Sequence, residues 1–447
     1  MCEGMFLSAS DVKSITQRLL ERSRADTCVI EVEGGEERSL RFARGGATTN
    51  MAASKTTLRV TSHIGGRKGS VAAASLDEAE LDRALARSEE IARLLPADPE
   101  YISPLGPQDY VVTRRYDEAT GTQGLDGLAR AAATVISESA ERQVDAFGCG
   151  SSGRRFEALA TSAGLFAYER RSEADISVTA RNRADSWSGW ASANEFCLSK
   201  LDVAGVARRA TEKAAHDTPP LDIEPARYTV IFEPAATAEL ARWLVLAMNA
   251  RAADEGRSFF SRVGGEAKLG EALFDEKLSI RSGPQDNLAP ESSFGLEGVP
   301  QIKRSWIEKG VVASLHRSRY WAKKTEAEAV PSVRNFTVEG GETAFDEMIR
   351  ATKRGLLVTR LWYTNMVDPR SLLLTGLTRD GNFLIENGRV TTPVRNMRFN
   401  ESLAALFSNI EAMGPTERTW RAVSGGVVAA PPMMVAGFNF SSKSSGI

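Results

Sequence analysis

Tyr228-Thr229-Val230-Ile231-Phe232, then Glu233-Pro234, then a run through Leu240-Ala241-Arg242-Trp243-Leu244-Val245-Leu246-Ala247-Met248 to Ala250 is the stretch around which this chain is organised. Its first five residues are β-branched or aromatic, the composition of a strand. Leu240, Trp243, Leu244, Ala247 and Met248 then recur at helical spacing, which predicts an amphipathic helix over 234–250. Pro234 suits the first turn, where a missing N–H costs nothing. On these residues alone the stretch reads as a core helix behind a strand, with Trp243 in the core and Arg242 on the solvent side, where arginines are commonest.

With 447 residues, a prior of about 150 per domain allows two or three domains with sizeable cores. Hydrophobic residues at 42% and charged residues at 26% are ordinary globular values and exclude a disordered class. The net charge of −2 intersperses Lys and Arg with Asp and Glu, so no basic face announces nucleic acid. Apolar runs stop far short of the roughly 20 residues a spanning helix needs, and Met1-Cys2-Glu3-Gly4 starts no secretory leader. The expectation is a cytoplasmic protein with neither membrane nor nucleic acid as partner. Cys2, Cys28, Cys149 and Cys197 lie far apart with no CxxC pair, which fits reduced thiols rather than a disulfide frame or a zinc knot.

Working outward, the first half alternates helices and strands. Val12, Ile15, Leu19 and Leu20 mark a helix capped by Ser10. Thr27–Glu33 and Ser39–Ala43 read as strands with Gly34-Gly35 as a turn between them. Thr57–His63 and Ser70–Ala74 read as a hairpin around Gly65-Gly66-Arg67-Lys68-Gly69, a basic turn without the GxxxxGK[ST] order of a phosphate loop. Ser75 and Glu78 form a capping box for a helix carrying Leu81, Leu85, Ala92 and Leu95 inward. Helices are expected at Leu125–Ala140 and near Asp202–Ala215, and strands at Val144–Phe147, Phe156–Ala160, Leu165–Arg170 and Asp175–Ala180. Gly148-Cys149-Gly150-Ser151-Ser152-Gly153 lacks the GxSxG order of a nucleophile loop and reads as a plain turn. The polar, proline-bearing Asp217-Thr218-Pro219-Pro220-Leu221-Asp222 marks a boundary between domains at 1–221 and 222–447. The class is α+β: an N-terminal α/β domain, then a strand-rich one with mainly antiparallel sheets.

In the second half Gln301–Glu308 and Val311–His316 make a hairpin, and a helix near Ala344–Lys353 leads to a strand at Gly355–Trp362. Leu372–Leu377, Phe383–Ile385 and Val390–Val394 follow, joined at Asp380-Gly381 and Glu386-Asn387-Gly388. Asp-Gly and Asn-Gly between apolar runs predict a three-stranded meander, with Asn387-Gly388 as a type I′ turn. A last helix with Leu403, Leu406, Phe407 and Ile410 precedes an apolar segment, Val427–Phe440, broken by Pro431-Pro432.

The order of these pieces carries a resemblance. Gly355-Leu356-Leu357-Val358, Asn365 to Asp368, Thr375-Gly376, Leu384-Ile385-Glu386-Asn387-Gly388-Arg389-Val390 and Pro393-Val394, with the final apolar segment, resemble the C-terminal half of the TldD/PmbA family of peptidases. Gly66-Arg67-Lys68-Gly69-Ser70 and the helix opening at Leu76-Asp77 resemble its first domain, so the likeness runs from about Leu7 to Phe440. The resemblance implies a zinc peptidase of two related subunits acting on unstructured or small peptides. TldD carries a HExxxH helix and a cysteine ligand near its C-terminus; the PmbA/TldE subunit shares the fold and lacks the motif.

Hydrolytic zinc needs about three protein ligands, a site for water, and a Glu to take the proton. Laid over this chain by Ser258-Phe259-Phe260-Ser261, the family's helix places Ala241 and Arg242 at the first His and the Glu, and Leu246 at the second His. None of the three can serve. His63, His216 and His316 are far apart, and no cysteine follows Cys197. The expectation is a PmbA/TldE-like subunit with no catalytic residue and no metal of its own. Zinc would reside in a TldD-like partner, or the chain would self-associate as a homodimer, and sheet edges would hold an extended peptide by main-chain pairing. Two alternatives stand beside it. One is a hydrolase using a Ser or Cys nucleophile without zinc; the other is a regulator or scaffold of the gyrase-modulator type.

Overall fold

The computed structural model describes residues 6–184, 187–419 and 426–444, so Cys2 lies outside the described residues. In the first half, α1 (Ala9–Arg22) leads into β1 (Thr27–Ala43), β2 (Gly46–Ile64) and β3 (Arg67–Ala73). Three helices follow, α2 (Glu78–Leu94), α3 (Glu118–Thr122) and α4 (Leu125–Glu141). Then come β4 (Asp145–Thr161), β5 (Phe166–Arg181), β6 (Ser188–Glu195) and α5 (Val203–Ala214). The strands form a six-stranded antiparallel sheet in the order β3-β2-β1-β4-β5-β6. Leu19, Leu81 and Leu85 of α1 and α2 bury Ile30, Val32, Leu58 and Val60. Leu128, Val135 and Val206 of α4 and α5 cover Phe42, Ile176 and Val178.

Two cap assignments shift. Ser8 rather than Ser10 caps α1, its hydroxyl accepting from Asp11 N while the Asp11 carboxylate accepts from Ser8 N. Asp77 caps α2, and Ser75 instead donates its hydroxyl to the Asp77 carboxylate at 2.7 Å.

The larger corrections concern glycine. Gly34-Gly35 lies within β1 and Gly148 to Gly153 lies within β4, in continuous register with each other. These glycines answer to a neighbouring strand, not to a turn. A Cβ at Gly34 would come within 2.5 Å of the Phe156 ring, and one at Gly153 would overlap the Glu36 carbonyl oxygen. By contrast, Gly65-Gly66 joins β2 to β3 with φ of +59° and +71°, a true hairpin turn.

The second half begins with β7 (Arg227–Phe232), α6 (Pro234–Ala247) and α7 (Ala250–Asp254). It continues through β8 (Ile280–Ser282), β9 (Arg304–Glu308), β10 (Val311–Val312), α8 (Arg319–Lys324), β11 (Phe336–Val338) and α9 (Phe345–Ala351). Next are β12 (Arg354–Asp368), β13 (Leu373–Glu386), β14 (Arg389–Pro393), β15 (Met397–Ser402) and α10 (Leu403–Ser408). It ends with β16 (Ile410–Met413), β17 (Glu417–Arg418), β18 (Val428–Ala430) and β19 (Met433–Lys443).

Five of these strands close on themselves. The order β12-β7-β19-β15-β13 returns to β12 through the β12–β13 pairing, so the ring has no free edge. Only β7 and β12 in it are parallel. A smaller sheet, β10-β9-β8-β11-β18-β17, stands beside the ring, and α6 packs against both β12 and β18.

Asn387-Gly388 turns with φ of +49° and +75°, as the type I′ expectation requires. Asp380-Gly381 does not turn: β13 runs straight through it, with φ of +51° and +111° and a shift of register against β12 between Val358 and Arg360. The expected meander therefore has one strand fewer, because an Asp-Gly pair satisfies the positive φ of a bulge as readily as that of a hairpin. The expected hairpin at 301–316 shrinks to the short pair β9–β10. Among the described residues no helix is long and apolar enough to cross a membrane.

Gly153→Ala is expected to lower stability by about 2 kcal/mol, since a strand backbone cannot yield as a side chain can. Gly46→Ala, where a Cβ meets nothing, should stay within about 0.5 kcal/mol of the parent. Denaturant titration of both variants checks the contrast.

Candidate functional site

Helix α6 starts directly from β7, with Glu233 as N-cap and Pro234 in the first turn. It stops at Ala247, three residues short of the expected end; Asn249 then caps α7 by accepting from Ala252 N at 3.0 Å. Leu240, Leu244 and Met248 are buried in one core with Phe232, Trp306 and Phe438. Trp243 is only partly buried, and its indole donates to Glu239 Oε1 at 3.1 Å.

The three positions at which the family's ligands would fall do not converge. Ala241 is fully buried in the core, whereas Leu246 is 60% exposed. Arg242, expected in solvent, is only 7% exposed and donates from Nη2 to the Gly426 carbonyl at 3.1 Å. The reason is tertiary. The segment entering β18 covers a second side of α6, and helical spacing cannot register a strand so distant in sequence. A methyl group, a guanidinium and an exposed isobutyl group do not fit a zinc ion. Burial pushes the Glu239 carboxyl above the ordinary carboxylate range and pulls the Arg242 guanidinium below its own; their mutual attraction only partly offsets this.

The histidines lie in three separate places. His316 bonds the Val330 carbonyl through Nδ1 at 2.8 Å, His63 packs on Tyr101, and His216 packs on Phe383. Cys28, Cys149 and Cys197 are free thiols, and burial pushes Cys28 up to about 11. Among the described residues no three His, Cys, Asp or Glu side chains gather as a metal-binding group.

What sequence reasoning missed is a cavity of about 270 Å³ where the first sheet meets loops of the second half. Arg171 reaches into it between Glu157 and Glu173, at 2.7 Å from the latter. Beside it Arg115 pairs with Glu169 at 2.8 Å, and Glu169 also accepts from Ser293 N at 2.7 Å, tying the two halves together. Glu291 is buried and accepts from the main-chain N–H groups of Arg334 and Asn335 at 2.5 and 2.8 Å; burial nevertheless holds its carboxyl above the usual range. Glu169, Arg171 and Glu173 at every second position of β5 were the one visible signal, a charged stripe on one face of a strand. The rest comes from separate segments with no spacing to read.

The molecule thus joins a helix-covered antiparallel sheet to a closed strand ring with α6 packed against it, a two-part α+β architecture. Residues 225–442 match the PmbA/TldA metallopeptidase C-terminal domain, and residues 108–216 match the PmbA/TldA metallopeptidase central domain. The chain belongs to the PmbA/TldD family. It is 26% identical over 175 residues to the metalloprotease PmbA of Escherichia coli O157:H7, covering 38% of each chain. It is 24% identical over 230 residues to a metalloprotease of Methanothermobacter thermautotrophicus, covering 48% of this chain and 49% of that one. The matched segments thus span less than half the length of these curated relatives. In fold it is similar to TldE from Thermococcus kodakarensis, with a TM-score of 0.83 at 18% identity over 97% of this chain and 100% of the other. A Thermotoga maritima protein described as a proposed modulator of a DNA gyrase superposes with a TM-score of 0.81 at 17% identity, covering 96% and 100%.

Because the folded Glu239 carboxyl holds its proton more tightly than the unfolded chain does, ionising it costs stability above the carboxylate range and nothing well below it. Glu239→Gln is therefore expected to raise the melting temperature at neutral pH, with the gain fading as pH falls through the raised folded value and gone below the unfolded value of about 4.3. Thermal melts across pH decide; a gain independent of pH would contradict the assignment.

Proposed function

We propose that this chain is a catalytically silent subunit of the PmbA/TldE kind. In the cytoplasm it completes, with a zinc-bearing TldD-type subunit, a protease for unstructured peptides. The observation that carries the reading is the composition of α6: Ala241 in the core, Arg242 turned to Gly426, and Leu246 in solvent where imidazole and carboxylate groups would be needed. The likeness to the Thermococcus TldE structure supports the fold half of this reading, and the metalloprotease names of the curated relatives support its link to proteolysis.

On this reading the Lewis acid that would polarise a scissile carbonyl and activate water is zinc held by the partner subunit. This chain's contribution is positional. It supplies wall and main-chain edge for an extended peptide, whose N–H and C=O groups pair with sheet edges in a manner indifferent to side chains.

The deciding measurement is zinc content together with cleavage of an unstructured peptide, made on the chain alone and after co-expression with a HExxxH-bearing relative. Zinc and turnover are expected only in the co-purified assembly. Stoichiometric zinc with turnover in the lone chain would reject the proposal.

A further inference from the structure

Arg418, at the end of β17, is held unlike three other arginines that are deeply placed in the protein. Arg115 pairs with Glu169, Arg171 with Glu157 and Glu173, and Arg360 with Asp380. Arg418 has neutral partners instead. Its Nε donates to the Asn194 carbonyl at 2.9 Å and to Asn194 Oδ1 at 3.1 Å; Nη2 donates to Oδ1 at 2.7 Å and Nη1 to the Leu288 carbonyl at 2.6 Å. The guanidinium lies 3.8 Å from the centroid of the Phe196 ring. Among the described residues no carboxylate is within salt-bridging distance of it.

A guanidinium carries five N–H donors, so these contacts leave one on Nη1 and one on Nη2 without an acceptor among the described residues. Burial pulls Arg418 down to about 10, although Glu195, Asp175 and Glu173 attract it through space and partly offset the loss of hydration. A guanidinium bonded directly only to neutral groups, with its carboxylates at a distance, can take a further anion in direct contact.

A cavity of about 480 Å³ borders this guanidinium, within the range that small ligands occupy. Its walls come from the connector at Val112 and Arg114, from Glu195, Phe196 and Lys200, and from the loop Pro284 to Pro290. The charges in that wall are uneven. Asp286 is already satisfied by Arg281, by the N–H groups of Leu288 and Ala289, and by the Thr337 hydroxyl. Arg114, Lys200 and Arg418 then face Glu195 as the remaining acid.

We propose that this cavity is a binding site for a small anionic ligand, whose carboxylate or phosphate oxygens accept the two open N–H groups of Arg418 while Arg114 and Lys200 attract it from the rim. An end-on guanidinium fork matches two oxygens of either group, and the apolar flank of Phe196, Pro284 and Pro290 suits a compact body behind the charge. The site is independent of the peptidase reading and would stand if that reading fell.

Calorimetric titration of the full chain at low ionic strength, with separate probes, tests it. The probes are inorganic phosphate, a tripeptide with a free C-terminal carboxylate, and the same tripeptide amidated. Saturable binding is expected for phosphate, for the free-acid peptide or for both, weakening as salt rises, and none for the amide. Phosphate alone would identify a phosphate-bearing ligand, and the free acid alone a carboxylate. Arg418→Gln should abolish binding. Should that variant fail to fold, the double variant R114A/K200A changes only exposed side chains and should weaken binding about tenfold without moving the melting temperature. No saturable binding of any probe, equal binding of the amide, or binding unchanged in the rim variant would each overturn the proposal.

Discussion

Glu233 is the point at which the molecule is tied together. Its backbone N–H donates to the Val358 carbonyl at 3.0 Å, its side chain takes Lys213 Nζ at 2.7 Å and the Thr359 hydroxyl at 3.2 Å, and it is the N-cap from which α6 departs. One residue thus joins the parallel β7–β12 pair, the last helix of the first half and the helix of the candidate site. The Lys213–Glu233 pair is mostly buried, so removing either partner would leave an uncompensated charge, a change far costlier than the pair's net contribution. Around this node the ring cannot close piecemeal. Val230 lies beside Leu356 on one side and Val435 on the other, strands separated by more than a hundred residues of chain. Such closure demands that most of the second half be in place at once.

The junction between the halves is part apolar, with Trp187 packed on Phe383 and Phe294 on Leu159 and Leu165, and part ionic, and the ionic part bears on what it does. Ser188 donates to Asp380 at 2.6 Å, and Asp380 also pairs with Arg360, which stacks 4.6 Å from the Trp190 ring centroid. Glu169 holds Arg115 on its own side and Ser292 and Ser293 across the junction. An apolar joint would tolerate sliding by a residue or so. Directional, charge-assisted contacts hold one orientation, because a displaced partner leaves a dehydrated charge unmatched. The 270 Å³ cavity and the Arg418 cavity both lie along this joint, and their shapes depend on that orientation.

How much of this was legible follows from the range of the forces involved. The strand–helix unit at 228–247, the helices at 125–141 and 203–214 and the Asn387-Gly388 turn depend on periodicity, capping and φ preference, all local properties, and the sequence carried them. Gly34, Gly35, Gly148 and Gly153 obey a non-local rule, since their small size serves the ring of Phe156, the ring of Phe42 and the backbone of the next strand. A glycine read alone suggests a turn, and only the pairing partner reveals otherwise. Arg242 failed for the same reason: a helix predicted with one buried side has two, the second supplied by Gly426. The Arg418 cavity was illegible from any spacing, being assembled from four distant segments.

The composition of α6 also shows why the helix does not depend on a metal for its place in the fold. Leu240, Leu244 and Met248 face a core that includes Trp306 and Phe438, and truncating any one of them would be expected to cost about 2–5 kcal/mol. Ala241 is at the same face, where a small side chain lets the helix sit close, while Leu246 contributes little to burial. The helix is therefore required by packing whatever chemistry its remaining faces carry. Arg242 goes a step further. Its guanidinium bonds the Gly426 carbonyl and so holds the segment entering β18. The place of α6 in this protein is therefore fixed by packing and by one long-range hydrogen bond, forces that require no catalytic group on the helix.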